Sequence, residues 1–350
     1  MGKYFYTDKS LIGLDINTTD IKIMAIDPKK WTVIGYGAID VNPVKMKRAL
    51  EEGGDYISNA LKRLVSEKII GKLPTSQVVL GIPTVKTYSR TITIPADAAK
   101  NIQEAVELEV NQYIPIPLSL LYLDYEILER TKESVTIIMN AIPKGVVDNC
   151  IEACNQAGLT VNVIEPSINA VARLLENTEE GHLATAIVDI GPANTDIAIL
   201  ERSIRVTGGI SVGGNTFTLD ISKKLGVALE NAHQLKVLNG LNPGPRQAKI
   251  SAALEPNLRR ITAETKRVMR YYNERISPDS HIEQLLIVGS GSNLPGIGEF
   301  FTNELVMPAR TASPWQQLEF GSLAQPAKQF RPRYITVAGL ASLKFEEVWG

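Results

Sequence analysis

Leu14-Asp15-Ile16-Asn17-Thr18-Thr19 and Val188-Asp189-Ile190-Gly191-Pro192-Ala193 are two versions of one device, and reading them together decides the fold. Leu11 to Ile16 is a short apolar run closed by polar residues, which predicts a buried strand. Asn17 to Asp20 reads as a turn and Ile21 to Ile26, which alternates, as the hairpin partner. Thr185 to Ile190 is a second buried strand, and Asp196 to Leu200 returns after a turn of small residues. Each hairpin sets an Asp at the carboxyl end of its strand. Turn N–H groups and hydroxyls there can face phosphate oxygens, and small side chains let the backbone approach. Two such Asp residues facing one another can hold a hydrated divalent cation, and Lys22, at the start of the first return strand, can reach a phosphate. The duplication predicts two pseudo-symmetric lobes with a cleft between them.

A third segment strengthens that reading, since any single hairpin can look like this. Gln284 to Val288 reads as a strand that runs into Gly289-Ser290-Gly291-Ser292-Asn293-Leu294-Pro295-Gly296 and then a helix. Glycines there let a flat ring lie against the backbone, and a helix start faces a phosphate.

Around these signals the chain reads as alternating strands and helices. Trp31 to Val41 continues the first strand pattern. Lys45 to Ile69 has Leu50, Ile57, Leu61, Leu64 and Val65 on one helical face, and Val78 to Ile82 is a buried strand ended by Pro83. A separate unit opens near Tyr88 with a strand at Arg90 to Ile94. A helix over Ala98 to Tyr113 follows, stopped by Ile114-Pro115-Ile116-Pro117. Strands at Tyr122 to Leu128 and Ser134 to Ala141, a helix at about Val146 to Ala157 and a strand at Thr160 to Ile164 complete it. Further helices are expected at Thr216 to Leu225, Leu229 to Asn239 and Asn257 to Arg275. The division expected is residues 1–87 as a first lobe, 88–165 as an inserted α+β subdomain and 166–350 as the second lobe.

Composition bounds the function. The 350 residues carry 37 basic and 38 acidic side chains and are 44% hydrophobic, with mean hydropathy -0.01. Balanced charge, without a dense basic run or aromatic–basic interleaving, argues against nucleic acid. No run approaches the roughly 18 apolar residues of a membrane helix, and Met1 to Tyr6 lacks the pattern of a secretion signal. Direct membrane insertion is therefore not expected. Cys150 and Cys154 lie one turn apart on a predicted helix and read as small core residues of a chain from a reducing compartment.

The ordered triple resembles the phosphate-1, phosphate-2 and adenosine motifs of the actin-like ATPase superfamily, which includes FtsA, MreB, Hsp70 and sugar kinases. Within it the chain is most similar to the PilM family of type IV pilus assembly proteins. Arg90 to Pro95, then Glu107 to Leu118 with its Tyr113-Ile114-Pro115-Ile116-Pro117, then Leu123-Asp124-Tyr125 resemble that family's inserted-subdomain signature. Lys144 to Asp148, Ala157-Gly158-Leu159, Gly208 to Gly214 and Val337 to Ala341 continue it. The resemblance implies a bilobed, ribonuclease H-like α/β fold that binds ATP and Mg²⁺. By position Asp15 and Asp189 match metal-side aspartates acting through water. Asn17, Thr18, Thr19, Gly191, Thr195, Gly213 and Gly214 match phosphate-loop residues, and Lys22 the phosphate lysine. Lys236 matches a nucleotide-side lysine, and Gly289, Gly291 and Gly296 the adenosine turn. Glu165 resembles the acidic residue that positions attacking water in related filament proteins, and equally suits a helix start.

The pattern departs at three places. Asn17 replaces a glycine, and Asn tolerates positive φ better than most residues. Pro192 removes one backbone donor from the second loop, and His233 stands where the family often has Glu near the ribose. Weaker nucleotide binding follows, with ATP as a clamp between lobes and slow hydrolysis or none. The resemblance further implies an adaptor at the inner membrane. It would bind the N-terminal tail of a PilN-like membrane protein in a groove beside the inserted subdomain and the first lobe, and link it to the motor ATPase ring. The alternative is an FtsA-like or MreB-like filament, disfavoured by the short acidic tail from Leu343 to Gly350.

Overall fold

The computed structural model describes residues 11–97, 101–179, 183–242, 244 and 247–344. The readings of Met1 to Tyr6, of the helix start at Ala98 and of the tail from Phe345 onward lie outside those residues.

The first sheet contains β1 (Ile12–Ile16), β2 (Asp20–Asp27), β3 (Thr32–Asp40), β4 (Ile70–Gly71), β5 (Gln77–Ile82) and a later strand, β9 (Thr160–Pro166), in the order β4-β3-β2-β1-β5-β9. β1 is buried along its whole length and pairs antiparallel with β2 and parallel with β5. Burial on both faces is why it reads as a continuous apolar run instead of an alternation. The second sheet repeats the plan. β10 (Thr185–Ile190) pairs antiparallel with β11 (Thr195–Glu201) and parallel with β13 (Gln284–Val288). β12 (Ser203–Ile210) and β14 (Ala309–Thr311) form its edges.

The expected helix over Lys45 to Ile69 is two helices, α1 (Pro43–Glu52) and α2 (Asp55–Glu67). Gly53 and Gly54 separate them with φ of 79° and 98°, values that break the helix and that glycine tolerates. Both still bury the predicted face, including Leu50, Ile57, Leu61 and Leu64, against the first sheet.

The inserted unit is a three-stranded sheet, β6 (Tyr88–Pro95), β7 (Leu121–Arg130) and β8 (Ser134–Pro143), in the order β6-β8-β7, with α3 (Ile102–Tyr113) on one face. It is shorter than the expected 88–165. The cysteine helix, α4 (Lys144–Gln156), buries Cys150 and Cys154 in the core of the first sheet, and β9 pairs with β5. Burial pushes the Cys154 thiol up to about 12 and raises Cys150 as well, so both are inert core residues.

In the second lobe α6 (Gly214–Leu225) and α7 (Leu229–Leu238) agree with expectation. α8 (Gln247–Tyr271) begins earlier than the expected Asn257, because Pro256 lies inside it, and it ends in a π-helical turn, Tyr272–Ile276. α9 (Ile297–Leu305) follows the glycine turn.

Two helices that the sequence reading lacked, α5 (Ser167–Thr178) and α10 (Ile335–Ala341), lie between the two main sheets. One apolar cluster joins Met24 and Ile26 of β2, Val171 and Leu175 of α5, Ile187 and Ala198 of the second sheet, and Val337 and Ala338 of α10. This shared layer seats the lobes against each other. Within it a Cβ on Gly339 would lie 2.0 Å from the carbonyl oxygen of Ala170, so the α5–α10 crossing requires a residue without a side chain. Gly339→Ala is expected to destabilise the protein by about 1–3 kcal/mol through overpacking. Urea unfolding measures it, and a midpoint equal to that of the unaltered chain contradicts this account of the crossing.

Candidate functional site

The two hairpins aim equivalent residues at one place. Antiparallel register sets Asp15 opposite Lys22 in the first lobe and Asp189 opposite Asp196 in the second. The Lys22 ammonium lies 2.8 Å from Asp15 Oδ2 and 3.1 Å from Asp20 Oδ1, and all three side chains are buried. Burial works against the Lys22 charge, but the Asp15 and Asp20 carboxylates outweigh it and raise its pKa. Asp20 is also a partner of Arg333, whose guanidinium lies 2.9 Å from Asp20 Oδ2 and 2.6 Å from Asp40 Oδ1. Burial raises Asp20, but Lys22 and Arg333 overcome it and hold the carboxyl below its ordinary value.

Among the described residues no cation forms an ion pair with Asp189 or Asp196. They keep a little surface, yet sit deep enough that burial dominates. Burial pushes Asp189 up to about 6, opposed by Lys22 and reinforced by Asp15 across the lobes. Burial, then the Asp189 and Asp15 charges, push Asp196 up to about 8, against a hydrogen bond with Thr84. Asp196 Oδ1 is buried without a hydrogen-bond partner. Carboxyl groups in this cluster therefore outnumber the cations beside them, and an oxygen is left over. That donor set fits a hydrated Mg²⁺, which would neutralise the surplus charge and offer water protons to the carboxylates. Among the described residues no group of three or more His, Cys, Asp or Glu is placed to hold a metal ion.

The turns differ from expectation in detail. Asn17 does not adopt positive φ. Its side chain instead accepts from the Thr18 N–H at 2.9 Å, and its own N–H donates to Asp20 O at 2.9 Å. Thr19 Oγ1 is buried with no partner, so it is the first-turn hydroxyl left for a ligand. Thr195 is committed elsewhere and donates to Val212 O at 2.7 Å. The carbonyls of Gly191 and Pro192 accept from Gly214 N and Asn215 N, which binds the second turn to the start of α6 at Gly213 and Gly214.

Beside Asp20 lies a cleft of about 940 Å³ with walls from both lobes: Thr19 and Asp20 on one side, Pro192, Gly214, Lys236 and Gly291 on the other, while Asp15, Lys22, Asp189 and Asp196 stay behind its lining. The Lys236 ammonium donates to Gly214 O and Thr218 Oγ1, both at 2.8 Å, without a carboxylate partner, and burial pushes it down to about 8. His233, on the same helix, is lowered by burial and by Lys236. Gly289 has φ 81°, and a Cβ there would lie 2.1 Å from Asp189 Oδ1, so the turn after β13 closes directly on the acid. Gly296 caps α9 beside Leu241 and Asn242, outside the cleft lining. Glu165 is two strand spacings from Asp15, roughly 10 Å along the sheet. Arg173 grips both of its oxygens, at 2.9 and 2.5 Å, and also donates to Gly339 O.

Asp196 and Arg333 escaped the sequence reading. Asp196 was findable, because it occupies in the second hairpin the position of Lys22 in the first. Arg333 carries no motif signal, being far from Asp20 in sequence.

The family model for type IV pilus assembly protein PilM matches residues 13–345. The chain belongs to this PilM family. Among solved structures, the PilM–PilN type IV pilus biogenesis complex superposes with a TM-score of 0.80 over 95% of this chain and 98% of that one, at 22% identity. EutJ, an ethanolamine utilization protein of Carboxydothermus hydrogenoformans, gives 0.57 over 95% and 90%, at 16% identity. The cell division protein FtsA of Neisseria meningitidis serogroup B is 27% identical over 329 residues, 82% of this chain and 72% of that protein. FtsA of Borreliella burgdorferi is 22% identical over 383 residues, 96% of this chain and 91% of that protein. The bilobed actin-like fold expected for a PilM-family chain is the fold observed.

The Asp196 environment yields a stability prediction. Its folded pKa lies above its unfolded value, so the folded state takes up a proton between them. Stability from this group is complete below about pH 4 and is lost as pH rises through about 8. In metal-free buffer, Asp196→Asn should raise Tm by about 1–3 °C at pH 8.5 and leave it unchanged near pH 4.5. Equal Tm values at both pH values contradict the surplus charge.

Proposed function

We propose that the chain is an adaptor of a type IV pilus, or of a related secretion or competence complex, in which ATP·Mg²⁺ clamps the two lobes. The observation that carries the nucleotide half is the meeting of Asp15 and Lys22 from one lobe with Asp189 and the unpartnered Asp196 oxygen from the other. A cation between the lobes would offset the surplus negative charge, and a phosphate chain held by that cation would touch both walls at once. In this reading Thr19 faces phosphate oxygens, and Lys236 supplies a cation to an anionic group. Bound Mg²⁺ supplies charge neutralisation of the phosphates. Glu165, already held by Arg173, is a poor candidate to orient an attacking water, which favours a clamp over a fast ATPase.

The adaptor half rests on family membership and on a second cavity of about 610 Å³. It lies between Thr84–Thr87 of the first lobe, β6 and β12, with Tyr113 and Ile114 at its border. β6 and β12 are both edge strands, so an extended tail there gains main-chain hydrogen bonds. The occupant in this reading is the N-terminal tail of a PilN-like membrane protein, as the solved complex joins PilM to PilN. Such a partner would hold the chain at the inner membrane and connect it to the motor ATPase ring. No helix among the described residues is long and apolar enough to cross a membrane.

Calorimetry should show ATP binding that requires Mg²⁺, with turnover far below the roughly 1 s⁻¹ scale of ordinary enzymes. Lys236→Ala should weaken it about tenfold, as expected for loss of a charge-assisted hydrogen bond. The Lys236 contribution is present below about pH 8, where the ammonium is charged, and fades at higher pH, so affinity should fall between pH 7.5 and 10. Absence of ATP binding overturns the clamp. For the adaptor, the N-terminal tail peptide of a PilN-like protein should bind and its scrambled version should not. ATP-dependent sedimentation of the chain alone would favour the filament reading instead.

A further inference from the structure

The cleft contains surface that phosphate and metal do not explain. Leu238, at the end of α7, and Phe330 both line it, and they are 77% and 51% exposed. Large apolar side chains left open inside a cleft hold contact surface ready for an apolar partner. Polar groups that can read a ring edge surround them: Gln234 on α7, and Ser290 and Asn293 on the turn after β13.

Phe330 also sits on a segment anchored to both lobes. It belongs to the 3-10 stretch Lys328–Tyr334. On one side of Phe330, Arg333 forks to Asp20 and Asp40 of the first sheet. On the other, Asn293 Nδ2 donates to Gln329 O at 2.8 Å, which ties the stretch to the glycine turn of the second lobe. The ring is therefore carried on a strap whose position is fixed by the phosphate hairpin at one end and by the glycine turn at the other.

We propose that Phe330 is the stacking platform for the nucleobase, with Leu238 closing on the opposite face of the ring. The proposal rests on the nucleotide reading above and assigns the contact with the ligand's base to an aromatic side chain outside the glycine motif itself. Stacking on an aromatic ring tolerates any base with a π-face, and a purine offers more area than a pyrimidine. The geometry also makes the base, beyond the phosphates, a contributor to lobe closure, because the strap spans the two halves.

The test separates base from phosphate. Binding of ATP and of inorganic tripolyphosphate, each with Mg²⁺, is measured by calorimetry on the unaltered chain and on Phe330→Ala, Phe330→Leu and Phe330→Trp. The ring is half exposed, so these changes leave the core in place, and matching Tm values confirm it. ATP affinity should fall about tenfold in Phe330→Ala, less in Phe330→Leu, and be kept in Phe330→Trp, while tripolyphosphate affinity stays constant throughout. The tryptophan at 330 should also lose emission when ATP, but not tripolyphosphate, is added. ATP affinity unchanged across the series, or an equal loss for both ligands, overturns the platform while leaving nucleotide binding intact. If the unaltered chain binds neither ligand, the nucleotide reading fails and the platform with it.

Discussion

Carboxylates brought together from two separately folded sheets repel one another, and the arrangement of the molecule follows from how that repulsion is managed. In the first lobe it is met internally, as Lys22 lies between Asp15 and Asp20 and Arg333 takes the outer side of Asp20. Among the described residues the second lobe has no equivalent ion pair, because the residue that register sets opposite Asp189 is another acid. Buried like charges raise the pKa of one or more partners unless a cation intervenes. The unequal pair of hairpins thus makes one half of the interface self-sufficient and the other half dependent on something from outside. In the proposed clamp, the divalent ion carried with the nucleotide would answer that dependence.

The apolar layer beneath works in the opposite sense. α5 and α10 pack between the sheets and hold the lobes together whatever the charge state above them. In the proposed clamp, a nucleotide would therefore act on lobes already in contact. The ion pair of Glu165 with Arg173, tied to Gly339 of α10, belongs to this layer and not to the cleft.

Much of this was legible in residue order. β1, β10 and β13 were visible as apolar runs because strands covered on both faces need no polar alternation, and the two Asp-ended hairpins announced the duplication. The convergence of residues was legible where one motif set their position, as at Asp15, Asp189 and Gly289. It was illegible where chemistry depended on distant partners. Arg333 becomes part of the cluster only because a late stretch of chain returns to the first sheet. α10 was hidden for a similar reason, since Ile335 to Ala341 is apolar all round and shows no amphipathic period. β12 was obscured by Gly208 and Gly209, which weaken a strand reading. β9, continuous in sequence with the inserted unit, pairs with β5 of the first sheet.

The seating of α10 has a bearing on how the chain is made. A Cβ on Gly13, in the first strand, would lie 2.3 Å from the backbone oxygen of Val337 in α10, so the two touch nearly main chain to main chain. During synthesis the inner face of that opening sheet stays uncovered until residues 335–341 have emerged from the ribosome. Contacts so remote along the chain form late and slowly. The first lobe is thus translated first and completed last, with exposed apolar surface in the interval that a chaperone would recognise.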